Sequence, residues 1–150
     1  MNRLALAAIV LWGATIAAAG YLFVYGYTTT EPDGRQAVGL NDQEREHVLG
    51  EMRGLLQAVG EITAALVHDD MAQIAKAASA VGLVATQSES PALMAKLPLD
   101  FKQMGLRVHA GFDEMATAAS AGASAQKIAG LLADQLAICV GCHASYKFAR

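Results

Sequence analysis

An uncharged, apolar run near the N-terminus constrains this chain more than any other part of its sequence. The run extends from Leu4 to Tyr27, which is 24 positions without a charged side chain. As a helix rising ~1.5 Å per residue it measures roughly 36 Å, enough to cross the hydrocarbon core of a bilayer. Arg3 precedes the run, and Glu31 and Asp33 follow it, which favours insertion with the N-terminus inside and the remainder outside. We therefore predict a transmembrane signal-anchor over residues 1–27.

A cleaved secretory signal is the alternative to an anchor. The small residues Ala17, Ala18 and Ala19 come before Gly20 and offer a cleavage site after a short apolar core. Cleavage there would leave an apolar, aromatic segment at the mature N-terminus, so we expect the anchor. In both cases the rest of the chain lies on the periplasmic side of a bacterial inner membrane.

The sequence after the anchor predicts a tether and then helices. Residues 28–40 are rich in turn formers and show no periodicity, which is typical of a linker. Asn41 followed by Glu44 resembles a capping box at the start of helix A. The apolar residues of this helix are spaced 4, 3, 4, 3 and 4 positions apart, as expected for one inward face. They are Val48, Met52, Leu55, Val59, Ile62 and Leu66.

Three further helical patterns follow. Helix B is predicted from about Met71 to Leu83, and helix C begins at Pro98, which suits a first helical turn. Helix D is predicted from about Ser124 to beyond Tyr146. Four amphipathic helices with short connections indicate an all-α, antiparallel four-helix bundle over residues 41–150, whose interior can house a cofactor.

Charge and composition exclude several classes of function. The chain has 150 residues and a formal charge of −3, with no basic cluster interleaved with aromatic residues, so we expect no nucleic-acid binding. Neither a nucleophile–base pair nor a phosphate-binding loop is visible, and we do not predict an enzyme.

The most specific motif lies near the C-terminus, at Cys139, Cys142 and His143. The spacing C-x-x-C-H is the attachment pattern of a c-type haem, in which two thiols form thioethers with the vinyl groups and the imidazole ligates iron. A thioredoxin-like thiol pair would need a β-α-β context, and a zinc site would need further Cys or His ligands at suitable spacing. In an exported helical chain the motif predicts one covalently attached haem.

The segment Cys139-Val-Gly-Cys142-His143-Ala-Ser-Tyr146-Lys147, placed on the last of four helices, resembles the cytochrome c′ type family and its low-spin, methionine-ligated relatives. The resemblance covers residues 41–150. It implies a four-helix bundle, His143 as the fifth iron ligand, and a residue of helix A on the opposite side of the haem. It also points to Lys147, one turn after His143, for an effect on the proximal side.

The resemblance puts the sixth iron ligand near Met52. A thioether ligand would give a low-spin iron with a raised potential, suited to electron transfer. The family usually has an arginine one turn earlier, where this chain has Val48. Counting from Arg45 instead places Leu49 opposite the iron and leaves it five-coordinate. His109 and His47 are the other candidate ligands.

We therefore expect a membrane-anchored, periplasmic monohaem cytochrome that carries single electrons to or from a redox partner protein. The alternatives are a five-coordinate haem module that binds nitric oxide or carbon monoxide, and a haem-bearing subunit of a larger membrane complex. A homodimer is compatible with the resemblance.

Overall fold

The computed structural model describes residues 2–149, and these are mostly helical, in agreement with the predicted class. Six α-helices account for most of them: α1 (Arg3–Tyr25), α2 (Asp42–Leu66), α3 (Met71–Ser79), α4 (Pro91–Lys96), α5 (Leu99–Ser120) and α6 (Ala125–Ser145). A 3₁₀ helix spans Leu83–Ser88, and three short strands are β1 (Thr28–Thr30), β2 (Gln36–Val38) and β3 (Tyr146–Phe148).

Helix α1 contains the predicted apolar run as far as Tyr25, two residues short of its predicted end, and is long and apolar enough to cross a membrane. None of its residues is buried against the rest of the chain. Helix α6 passes the same test of length and composition, but Ile128, Leu131, Leu132 and Gln135 bury one of its faces inside the protein. Its apolar character is therefore explained by packing, whereas that of α1 is not.

The main core lies where α5 packs against α3 and α6, and where α2 packs against α3. Phe112 and Met115 of α5 meet Ile62 of α2, Ile74 of α3 and Ile128 of α6, all of which are almost completely buried. A second, smaller cluster contains Val38, Val48, Leu93, Leu97 and Phe101, with Met52 and Cys142 packed against it. The inward stripe predicted on helix A contributes to both clusters.

The start of helix α2 follows its sequence signal. The side chain of Asn41 accepts from the backbone N–H of Glu44, and the Glu44 carboxylate accepts from the N–H of Asn41. This reciprocal arrangement is the predicted capping box.

The linker predicted over residues 28–40 is not irregular, because six of its residues form β1 and β2. These strands pair antiparallel through a turn in which Gly34 adopts a positive φ of 84°. Strand β2 also pairs in parallel with β3, which includes Tyr146. The prediction that helix D continues beyond Tyr146 is therefore wrong: α6 ends at Ser145, since the next backbone bonds are made to β2.

Helix α3 ends four residues earlier than predicted for helix B. The carboxylate of Asp113 accepts from the backbone N–H of Leu83 at 2.9 Å and packs against Gly82, which diverts the chain into the 3₁₀ helix. Pro91 then begins α4, a helix outside the four that the sequence predicted.

Candidate cofactor site

The motif residues lie in the last two turns of α6 and face a cavity. Cys139, Cys142 and His143 line it together with Met52 of α2 and His109 of α5. Both thiols are free and half-buried, and burial raises the pKa of each. The structure thus brings four of the five predicted site residues to a single cavity.

Two more cavities adjoin this one and share its lining. Their volumes are about 140 and 160 Å³, beside about 120 Å³ for the cavity at the motif. Phe101 lines all three, Met52 and His143 line two, and Gly105 lines two. The wall between α2, α5 and α6 is therefore a set of connected hollows, as expected of a site for a large, flat, mostly apolar ligand.

The residues around the motif fit a haem. Gly105 lies on the face of α5 that lines two of the cavities, and a Cβ atom added there would meet no atom within 4 Å. The lining is mainly apolar and includes the side chains of Val48, Leu55 and Val108. Two thiols, two imidazoles and two thioethers line this space, a set that includes the donors of a c-type haem.

Met52 and Leu49 both lie beside the motif on α2. Met52 shares two cavities with Cys142 and His143, whereas Leu49 shares only the one that also contains Lys147. Both side chains are partly buried. Met52 thus shares more of the cavity lining with the motif than Leu49 does, although both side chains line the cavity that contains Lys147.

His109 is buried on α5 and lines two of the cavities. Its Nδ1 lies 2.8 Å from the backbone carbonyl oxygen of Val81. A ring nitrogen that donates to a carbonyl leaves the other nitrogen as an acceptor, which is the arrangement found in many metal-binding histidines. The bond to Val81 thus fixes the orientation of the His109 ring at the cavity wall.

Lys147 lies on β3, and its ammonium group interacts with the β1–β2 turn. Its Nζ is 3.0 Å from the carboxylate of Glu31 and 3.2 Å from that of Asp33. These acids raise the pKa of Lys147, and the lysine together with Arg35 keeps the pKa of Asp33 well below its ordinary value. The lysine also lines one cavity, beside Arg35. Its clearest contacts therefore hold the sheet across the end of α6.

A polar network lies at another side of the site, and no sequence pattern predicts it. His47 Nε2 lies 2.9 Å from a carboxylate oxygen of Glu89. The ligand-type atoms of His47, Glu51 and Glu89 lie within 4.8 Å of one another. Burial and the neighbouring Glu89 carboxyl raise the pKa of Glu51 to about 7, while the bond to Glu89 raises the pKa of His47. Glu51 also lines two of the cavities, so this cluster adjoins the site.

Comparison of this chain with known protein families, curated proteins and solved structures gives no match.

Proposed function

We propose that this protein is a membrane-anchored, periplasmic monohaem c-type cytochrome that carries single electrons between protein partners. The observation that supports it best is the shared cavity of Cys139, Cys142, His143 and Met52. The two thiols of a C-x-x-C-H motif have no other evident partner in a reduced chain, and their half-buried position beside an apolar hollow suits covalent attachment of a porphyrin.

The proposal includes a cytochrome c′-type arrangement, with α2, α3, α5 and α6 as an antiparallel four-helix bundle. His143 would hold the iron from α6, and Met52 would hold it from α2. When bound, the haem supplies a one-electron ferric–ferrous couple. The protein contributes the apolar wall of Val48, Leu55 and Phe101, which excludes water and so tunes the potential.

Purification of the full chain from a bacterial host that attaches c-type haem tests the proposal. We expect haem that stays on the polypeptide after denaturation, and a low-spin ferrous spectrum. The double variant C139S/C142S keeps the size of the side chains close to native and should lose all covalent haem. Absence of covalent haem from the native chain would refute the proposal.

The role of Met52 is tested by Met52→Ala, with Met104→Ala as the matched control. Met104 lines the same cavity from α5, so both changes remove a thioether from the same hollow. We expect Met52→Ala to convert a low-spin spectrum to a high-spin one, and Met104→Ala to leave it low-spin. A low-spin spectrum in both would exclude Met52 as ligand, and His109→Ala is then the next variant to measure.

Gas binding is the second candidate function, and the position of Leu49 on the same cavity wall favours it. If Leu49 rather than Met52 faces the iron, one coordination position stays open. Carbon monoxide would then shift the ferrous spectrum of the native chain. We expect no shift in the native chain and a clear shift in Met52→Ala.

A further inference from the structure

The last turn of α1 is docked on the body of the protein. Gly26 follows α1 with φ of +61°, a conformation that favours glycine, and its Cα packs so closely on the backbone of Lys96, Leu97 and Pro98 that a Cβ could not fit. The next residue, Tyr27, donates its N–H to the carbonyl oxygen of Lys96 at 2.8 Å and accepts from the N–H of Gly39 at 2.7 Å. The chain thus leaves α1 through a fixed turn.

Lys102 of α5 fastens the same turn from the other side. Its Nζ donates to the backbone oxygen of Phe23 at 3.1 Å and to that of Met94 at 3.4 Å, and it lies 4.4 Å from the centre of the Phe23 ring. Partial burial lowers the pKa of this lysine, as expected of a side chain that has exchanged water for carbonyl groups and an aromatic face. The contact joins α1, α4 and α5.

The residues that hold the anchor also line the cofactor site. Met94, Leu97 and Lys102 form part of one of the three cavities, and Phe101, next to Lys102, lines all of them. The aromatic residues Tyr21, Tyr25 and Tyr27 place this end of α1 at a membrane interface. The cavities therefore lie at the end of the body that faces the membrane.

From this arrangement, and on the basis of the proposed function, we infer that the anchor and the haem cavity form one rigid unit beside the bilayer, and that the redox partner is an integral membrane protein. A flexible tether would let the haem domain reach soluble proteins well away from the membrane. A docked anchor instead keeps the cavity at a fixed distance from the bilayer surface. A partner that moves in the same bilayer holds its own redox group at a fixed distance from that surface as well. Restricting both proteins to one plane also removes part of the orientational cost of their encounter.

Rigidity can be measured without the haem. The full chain, carrying C139S/C142S to remove its two free thiols, is labelled with a nitroxide at A110C, an exposed position on α5. Its electron paramagnetic resonance is recorded in oriented bilayers at several tilt angles. We expect a spectrum that changes with tilt. The change should disappear when twelve Gly/Ser residues are inserted between Tyr27 and Thr28, and weaken in Lys102→Met, which keeps an unbranched apolar stem. A native spectrum independent of tilt would overturn the rigid unit.

The partner class is tested with the haem-loaded full chain in lipid nanodiscs or fused into vesicles. Native membranes washed free of soluble proteins should reduce or oxidise the haem after fusion, and the Gly/Ser insertion should slow this transfer. If the soluble periplasmic fraction alone transferred electrons rapidly to the protein in nanodiscs, the inference of an integral membrane partner would be overturned. Failure to load haem would contradict the proposed function, while the nitroxide measurement would still decide the rigid unit.

Discussion

At the scale of single residues, Glu51 connects the polar network to the cofactor cavity. Its folded-state pKa is raised from 4.5 to about 7 by burial and by Glu89, so the folded protein retains a proton that the unfolded chain releases at lower pH. The unfolded state therefore binds fewer protons than the folded state between about pH 4.5 and 7. The free energy of unfolding must fall as the pH rises across this interval.

Glu51→Gln is expected to remove this part of the pH dependence. The neutral amide carries no charge to be desolvated, so the variant should gain about 1 kcal/mol over native protein at pH 8, once the shift is reduced for a half-exposed group. Urea unfolding at pH 5 and pH 8 measures the change. Glu114→Gln on exposed α5 surface is the control and should follow the native pH profile. Parallel profiles for Glu51→Gln and the native chain would contradict the prediction.

The two thiols and His143 could be predicted because the C-x-x-C-H motif has a fixed spacing. Met52 could be predicted because it lies on the apolar stripe of α2. The proximity of Glu51 and Glu89 could not be predicted, since the 37 residues between them carry no pattern that brings two carboxyl groups together. Gly105 of α5 belongs to no motif in the sequence. Its role at the cavity depends on empty space beside it, which no sequence describes.

At the scale of elements, α5 and α6 meet at a close contact between Gly111 and Gln135. Both are buried, and a Cβ on Gly111 would overlap the amide group of Gln135. The Oε1 atom of Gln135 has no hydrogen-bond partner there. A glycine in mid-helix is retained at this position because the neighbouring helix occupies the space of its side chain.

Gly111→Ala should therefore destabilise the protein by about 1–3 kcal/mol through overpacking, although alanine is the better helix former. Gly130→Ala, at an exposed position of α6 with open space around it, is the matched control and should stabilise by up to about 1 kcal/mol. In a Gln135→Ala background the cost of Gly111→Ala should largely disappear, a coupling that a double-mutant cycle by urea unfolding measures. Equal costs in both backgrounds would show that Gln135 does not cause the effect.

The helices and strands also differ in how far they can be predicted from the sequence. The capping box and the 4, 3, 4 spacing predict α2 because both signals are local. The strands are only three residues long, which is too short to show an alternation of apolar and polar residues. Strand β2 also pairs with β3, which lies more than 100 positions away in the sequence. The end of α3 depends on Asp113, which lies 30 positions beyond Leu83 in the sequence.

At the scale of the whole molecule, two independent sequence signals agree about the compartment. The apolar helix α1 is long enough for a membrane span or a signal sequence, and under the proposed function the C-x-x-C-H motif would receive its haem outside the cytoplasm. The contacts of Gly26 and Tyr27 with the body lie beyond Ala19 and would persist after cleavage there, so the proposal of a retained anchor is tested by disabling α1 itself. Export, anchoring and haem attachment should then fail together when α1 is disabled.

Two arginines in the middle of α1, Leu11→Arg with Ile16→Arg, provide the test. Each charge opposes insertion by about 2.5–3.5 kcal/mol, so the double variant should remain in the cytoplasm and carry no covalent haem. The control pair is Leu56→Arg with Val67→Arg, which places the same charges at two apolar positions, one in α2 and one directly after it, that are 70% and 76% exposed. Cell fractionation followed by a haem stain of the denatured polypeptide measures both outcomes. The control should be membrane-bound and haem-loaded. If the α1 variant is as well, the anchor is not the route by which this protein acquires its cofactor.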